Sequence, residues 1–389
     1  MLLGPLGAVF AGAMKLPAAF VSLALASSVS AGQFLLYVGT YTGAKSEGIY
    51  AYRFDSGTGE VSELGLAAKA TNPTFLAVHP NGRFVYAANE TGKWGDQPGG
   101  YVSAFRVDSA TGRLIELNQQ SSVGGGPCHL NVDATGKNVL VANYGGGSVA
   151  CLPLNADGSL KPHSAFVQHV GSSVNPARQK EPHGHSVNLS PDNRFAFVAD
   201  LGTDKIHTYA FDAVAGSLTA RPELDVVLPP GSGPRHFAFG AKGTKAYVIN
   251  ELLQTVTAFR YAPKTGKLTA VDTISTLPDA KPVPGNSTAE VRVHPNGKFV
   301  YGSNRGHDSI AVFAVGKGGK LSAVQHVPVG GKTPRNFNFD PSGRFLFAGH
   351  QSSDSFSVFA VDGKTGQLSA TGKTFKVGSP VCFRFVPVP

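Results

Sequence analysis

The chain has little cysteine. Cys128, Cys151 and Cys382 are the only three in 389 residues. No Cys-x-x-Cys-His occurs, which excludes the haem-carrying propellers, and no His/Cys group has zinc spacing. No metal and no cofactor is therefore expected. An odd cysteine count leaves at least one free thiol, and the fold needs no disulfide staples. Gly-x-Ser-x-Gly is missing too, and covalent catalysis at a serine finds no support. Charge is sparse: Asp, Glu, Lys and Arg make up 15% of the residues. The net charge of +9 is scattered over turns with no basic run, so a nucleic-acid partner is not expected. Long amphipathic helical patterns are absent from the region after residue 31.

Hydrophobic runs are almost as scarce. The one that stands out lies in the first 31 residues, where Lys15 is the only charge. It precedes an apolar stretch from Leu16 to Ala26 and then Ser27-Ser28-Val29-Ser30-Ala31. This reads as a secretory signal over 1–31 with cleavage near Ala31, in a protein that starts at Met1 or, more usually for such signals, at Met14. The run is short for a membrane span, and no other segment is able to cross. The expectation is a periplasmic or secreted protein without stable membrane insertion, with 32–389 as one domain.

Glycine is abundant, with 48 residues, and its placement is regular. A triplet of Gly, one residue, then an apolar residue recurs as Gly59-Glu60-Val61, Gly112-Arg113-Leu114, Gly158-Ser159-Leu160, Gly216-Ser217-Leu218, Gly266-Lys267-Leu268, Gly319-Lys320-Leu321 and Gly366-Gln367-Leu368. The spacing is roughly 50 residues, the period of propeller blades. Between the triplets lie hairpin phrases such as Pro73 to Tyr86, split by Asn81-Gly82, with near copies beginning at Pro127, Gly184, Pro234, Thr288 and Pro334. The spacing predicts an all-β, seven-bladed β-propeller with four antiparallel strands per blade. Phe34 to Leu64 lacks a first strand and Pro380 to Val386 is only a first strand, so the C-terminal strand is expected to complete the N-terminal blade and close the ring. A closed ring of this kind is expected to be a monomer.

In a blade, the start of strand one and the end of strand two face the same side. Aligned on the hairpin glycine, these slots hold unlike residues. Strand one offers Thr74-Phe75, Cys128-His129, His185-Ser186, Arg235-His236, Ala289-Glu290 and Arg335-Asn336. Strand two offers Asn89-Glu90, Asn143-Tyr144, Asn250-Glu251 and Asn304-Arg305. Positions that serve packing should resemble one another from blade to blade. Divergence into polar and ionisable residues implies an asymmetric site on the axis.

His185, Arg235, Glu251 and Arg305 are the leading candidates. Imidazole and carboxylate move protons near neutral pH, and two guanidinium forks match an anion or a developing oxyanion. The competing reading is a set of ion pairs tying blades together, with Glu251 on Arg235. His129, Tyr144, Glu90, His183, His236, Glu290 and Arg335 form a second group that could line the channel. The recurring Asn89, Asn143, Asn250 and Asn304 read as turn supports. His79 and His294 belong to repeated turns. The insertion Thr91 to Gly99, carrying Trp94, is placed to overhang the channel mouth.

Several phrases, in order, resemble a known family. Tyr37-Val38-Gly39-Thr40-Tyr41-Thr42, Gly126-Pro127-Cys128-His129, Pro182-His183-Gly184-His185, Gly233-Pro234-Arg235-His236, Asn250-Glu251-Leu252 and Ser303-Asn304-Arg305-Gly306 are similar to the seven-bladed propeller lactonases. That is the type of bacterial 6-phosphogluconolactonase and of the fungal carboxymuconate-lactonising enzyme. The resemblance spans about residues 35 to 387. It implies opening or closing of a lactone ring on a small anionic substrate, with a His, a Glu and two Arg matching His185, Glu251, Arg235 and Arg305. His185 or Glu251 would then activate water, and the two Arg would hold the anion. The alternatives are a non-catalytic envelope propeller that binds a ligand or protein partner, and a cyclising, muconate-lactonising enzyme.

Overall fold

The computed structural model describes residues 32–388 together with residues 1, 2 and 4. Most of the signal segment read from 1–31 lies outside them. Seven antiparallel sheets follow one another around an axis, forming a seven-bladed β-propeller. In the second blade the strands are Pro73–Val78, Phe84–Asn89, Tyr101–Val107 and Leu114–Ser121, in that order from the axis outwards. The first blade is assembled from both chain ends. Its strands Gln33–Thr40, Gly48–Asp55 and Glu60–Lys69 are completed by Pro380–Pro387, which pairs antiparallel with Gln33–Thr40. Ring closure is therefore the one expected from sequence. The only helices among the described residues are three 3₁₀ turns of three residues each.

The Gly of the recurring triplet has a packing reason. Gly366 sits at φ +79°, and a Cβ there would meet the Phe299 ring of the preceding blade at 2.4 Å. Gly158 against Phe84, Gly266 against Phe195, and Gly59 against Phe345 repeat the contact, the last across the closure. Turn conformation and close approach of a neighbouring ring both require glycine. The histidine turns add a polar tie. His79 Nε2 bonds Gly136 O at 2.9 Å and His294 Nε2 bonds Gly343 O at 2.8 Å, each in the next blade.

Two expectations need correction. The strand expected from Pro334 is only Phe337–Phe339. Thr333 takes φ +60° and Arg335 N bonds back to Thr333 O, as Asn72 and Thr74 do in the second blade, but here the ladder begins only at Phe337, after Arg335 and Asn336. The Thr91–Gly99 insertion forms a two-stranded ribbon, but Trp94 does not reach over the channel. Its Nε1 donates to Gln119 Oε1 at 3.1 Å on the outermost strand of its own blade, and its ring stacks on Tyr101.

A candidate active site at one mouth of the channel

The first strands are irregular where they begin. Register shifts fall between Pro73 and Phe75, Pro127 and His129, Gly184 and Ser186, Pro234 and Phe237, and Thr288 and Val291. A bulge re-aims side chains, so two consecutive residues can both find partners near the axis. Arg235 meets Glu251, while its neighbour His236 meets Glu290. The strand-two slot is held by the repeated asparagines. Asn89 Nδ2 donates to Thr71 O, Asn143 Nδ2 to Ser122 O and Asn304 Nδ2 to Thr276 O, in each case to the connection entering the blade. These four-square anchors fix where Glu90, Tyr144 and Arg305 begin.

Glu251 is the hub. Its Oε2 lies 2.9 Å from Arg305 Nη2 and 3.0 Å from Arg235 Nε, and its Oε1 accepts from Arg178 Nη2 at 2.7 Å. Arg235 contributes charge more than a bond here, because its Nε–H is buried without an aligned acceptor; Arg305 Nε is in the same condition. Backbone carbonyls take the other ends: Arg235 Nη1 donates to Ala289 O and Arg305 Nη2 to Thr288 O. Burial opposes ionisation of Glu251, but Arg305, Arg235 and their neighbours more than offset it and hold the carboxyl well below the usual range. Arg235 is pushed down to about 9, by burial first and then by repulsion from Arg335 and Arg305.

His185 completes the leading group. It is 3% exposed, against 2% for Arg235 and 3% for Glu251, so these are interior groups and not surface ion pairs. Burial, and then the charge of Arg235, keep its pKa well below 6.5, and the imidazole is neutral near pH 7. Its Nδ1 lies 3.5 Å from Cys128 Sγ, and its ring meets Tyr144 edge-on at 5.0 Å. The Cys128 thiol is itself pushed up by burial and is no ready nucleophile.

The second group divides by depth. Tyr144 receives Arg178 Nη2 at 3.0 Å and stacks on His183, whose Nδ1 pairs with Tyr144 O at 2.9 Å. Glu90 accepts from Tyr41 Oη at 2.9 Å and Thr74 Oγ1 at 2.7 Å, and Arg335 lies over the Tyr41 ring. These residues wall the mouth. His129 and His236 lie deeper, packed with Phe75 at ring separations of 4.1 to 5.6 Å. His236 contacts Glu290, so both histidines belong to the floor and not to the wall. Arg178 escaped the slot comparison because it comes from a connection, not a strand. The signal was length: the interval from Leu160 to Leu218 is the longest in the repeat series.

Among the described residues, the ligand atoms of His169, Asp200 and His207 lie within 4.8 Å of one another, and Asp200 Oδ1 also accepts from His183 N at 2.9 Å. His169 is already committed at both nitrogens, to Asp200 Oδ2 at 2.6 Å and to Tyr209 Oη at 2.9 Å. All three cysteines are free and buried.

Residues 35–385 match the family described as lactonase, 7-bladed β-propeller. A Bacillus subtilis protein named 6-phosphogluconolactonase is 38% identical over 355 residues, which is 91% of this chain and 99% of its own. The structure of a Pseudomonas aeruginosa periplasmic gluconolactonase superimposes with a TM-score of 0.84 at 37% identity, covering 92% of this chain and 100% of that one. That of a putative 6-phosphogluconolactonase from Bacteroides fragilis also gives 0.84, at 36% identity, over 92% and 99% of the two chains. Matched by the family over residues 35–385 and by relatives over nearly its whole length, the chain belongs to the seven-bladed β-propeller lactonase family.

Proposed function

We propose that this protein is an exported hydrolase of a sugar-acid lactone, working by metal-independent general acid/base catalysis at the Glu251 mouth. The carrying observation is the pairing of a buried, neutral His185 with a carboxylate held ionised by three guanidinium groups. A proton acceptor must be unprotonated, basic enough to hold the proton, and free at the accepting atom. His185 fits, and its Nε2 makes no hydrogen bond among the described residues. Glu251 does not fit, because three arginines lower its basicity. The roles then separate. His185 takes a proton from water as the water oxygen bonds to the lactone carbonyl carbon. Negative charge gathers on the carbonyl oxygen, and the guanidinium charges of Arg235 and Arg305 offset it. Collapse breaks the ring C–O bond, and imidazolium returns the proton to the leaving alkoxide. Glu251 positions the guanidinium groups.

The mouth also favours an anion. Arg178, Arg235, Arg305 and Arg335 face only Glu251 and Glu90, an excess of positive charge that suits a phosphorylated or carboxylated lactone. Relatives named for 6-phosphogluconolactone and for gluconolactone support the sugar-acid class. Acid release at neutral pH from gluconolactone and from its 6-phosphate is the test. Release well above the spontaneous rate is expected, with the phosphorylated ring preferred. No enhancement with either, or with other sugar lactones, overturns the reading.

A further inference from the structure

The channel has a second mouth, on the opposite face, and none of the chemistry above uses it. A cavity of about 380 Å³ opens there, lined by Asn131, Asn188, Arg292, Asn338 and Arg384 over a floor containing Phe75 and His129. All five of these polar residues occupy one slot of the first strands. The phrase that reads Leu76-Ala77-Val78 in one blade reads Leu130-Asn131-Val132, Val187-Asn188-Leu189, Val291-Arg292-Val293, Phe337-Asn338-Phe339 and Phe383-Arg384-Phe385 in others. The flanking residues stay apolar while the axial one becomes an amide or a guanidinium. Divergence confined to the axial position marks a binding surface here as it does at the other mouth.

Charge at this mouth is not balanced. Glu290 is the carboxylate that meets Arg292, at 3.3 Å from Arg292 Nη2. The same Oε2 accepts from Asn336 Nδ2, and Glu290 Oε1 accepts from Val291 N. Arg384 has no carboxylate partner among the described residues. Its Nη1 donates to Phe383 O at 2.7 Å, and its guanidinium carbon lies 4.6 Å from the centre of the Phe75 ring. The Nε of Arg292 is buried with no acceptor. Arg384 feels the charge of Arg292 as a repulsion. Asp340, at the rim, is occupied by its own turn, accepting from Ser342 N and Phe345 N. Around the rim, the starts of the second strands add Arg83, Lys137, Arg194, Lys245, Lys298 and Arg344, a field that draws anions toward the opening.

We infer that this second mouth is an anion-binding site, in which Arg292 and Arg384 hold a small polycarboxylate or phosphate-bearing ligand and Asn131, Asn188 and Asn338 donate amide hydrogens to it. Two fixed guanidinium groups with open N–H donors and one already engaged carboxylate are the arrangement such a ligand neutralises. The site is separate from the Glu251 cluster, with Phe75, His129 and His236 packed between them.

The test is calorimetric titration of the full chain with citrate, and separately with inorganic phosphate, at low ionic strength. Wild type is compared with Arg384→Gln, Arg292→Gln, Asn131→Asp and Arg305→Gln. Binding that survives Arg305→Gln but weakens tenfold or more in Arg384→Gln and Arg292→Gln is expected. Asn131→Asp removes no buried contact and places a negative charge in the mouth, so it should weaken binding even if an arginine variant fails to fold. Binding untouched by Asn131→Asp and by either folded arginine variant, binding lost only in Arg305→Gln, or no binding to wild type, overturns the site. These outcomes do not depend on whether lactones are hydrolysed.

Discussion

Arg305 shares Glu251 Oε2 with Arg235. It reaches Glu251 through Nη2 and leaves Nε without an acceptor in a buried position. Replacing it with Ala removes a charge that offsets the developing oxyanion and is one of the three that keep Glu251 ionised. Turnover of the lactone should fall by about 10²–10³-fold. Initial rates of acid release measure it, and a variant within threefold of wild type would remove Arg305 from the mechanism. This residue was legible as a candidate because repeated blades provide their own control: the slot after the recurring Asn changes from blade to blade, to Glu90, Tyr144, Glu251 and Arg305, while the strands around it agree. His185, Arg235 and Glu251 were found the same way, and the structure brings all four together. The proposed choice of His185 over Glu251 as base was not legible. That depends on three guanidinium groups converging on one carboxylate, and Arg178 comes from a connection with no counterpart in the other blades. Depth was equally hidden. His129 and Tyr144 both looked like lining residues, yet one packs against Phe75 in the floor and the other supports Arg178 at the mouth.

The triplet that sets the period is also a device for packing blades. At Gly366, φ is +79° and the Phe299 ring occupies the place of a side chain. Gly366→Ala must adopt a left-handed conformation, at roughly 1–2 kcal/mol, and also displace an aromatic ring. A lower denaturation midpoint by at least the first of these amounts is expected, whereas Ala at exposed Gly372, with nothing within 4 Å of its Cβ but a similar φ of +78°, should show the conformational cost alone. Equal effects at the two positions would show that the Phe contact contributes nothing. Strands and their order followed from period-2 patterning and turn residues. The three-residue strand Phe337–Phe339 did not, because its phrase carries the same Pro and polar turn as the blades whose first strands start at the Pro. Trp94 was misplaced for a different reason: a ribbon's direction is decided by a partner, Gln119, distant in sequence.

For the molecule as a whole, three buried histidines surround the axis. His129, His185 and His236 are all held neutral, chiefly by burial, with pKa values well below 6.5. In the unfolded chain each binds a proton as pH falls through about 6.5. Below that value the unfolded state holds more protons than the folded one, so stability is full above 6.5 and declines as pH drops toward the depressed folded values. The decline can reach about 1.4 kcal/mol per pH unit for each histidine. Urea midpoints at pH 7.5, 6.5 and 5 should therefore be similar for the first pair and lower for the third. A midpoint unchanged at pH 5 would mean that these imidazoles accept protons in the folded ring.

The last strand, Pro380–Pro387, is innermost in the first blade. Until those eight residues exist, the opening blade exposes a bare inner edge and the two ends of the circle have nothing to clasp. Synthesis from the N-terminus thus delivers the fastener last, so the nascent polypeptide stays unlocked for as long as it is being made.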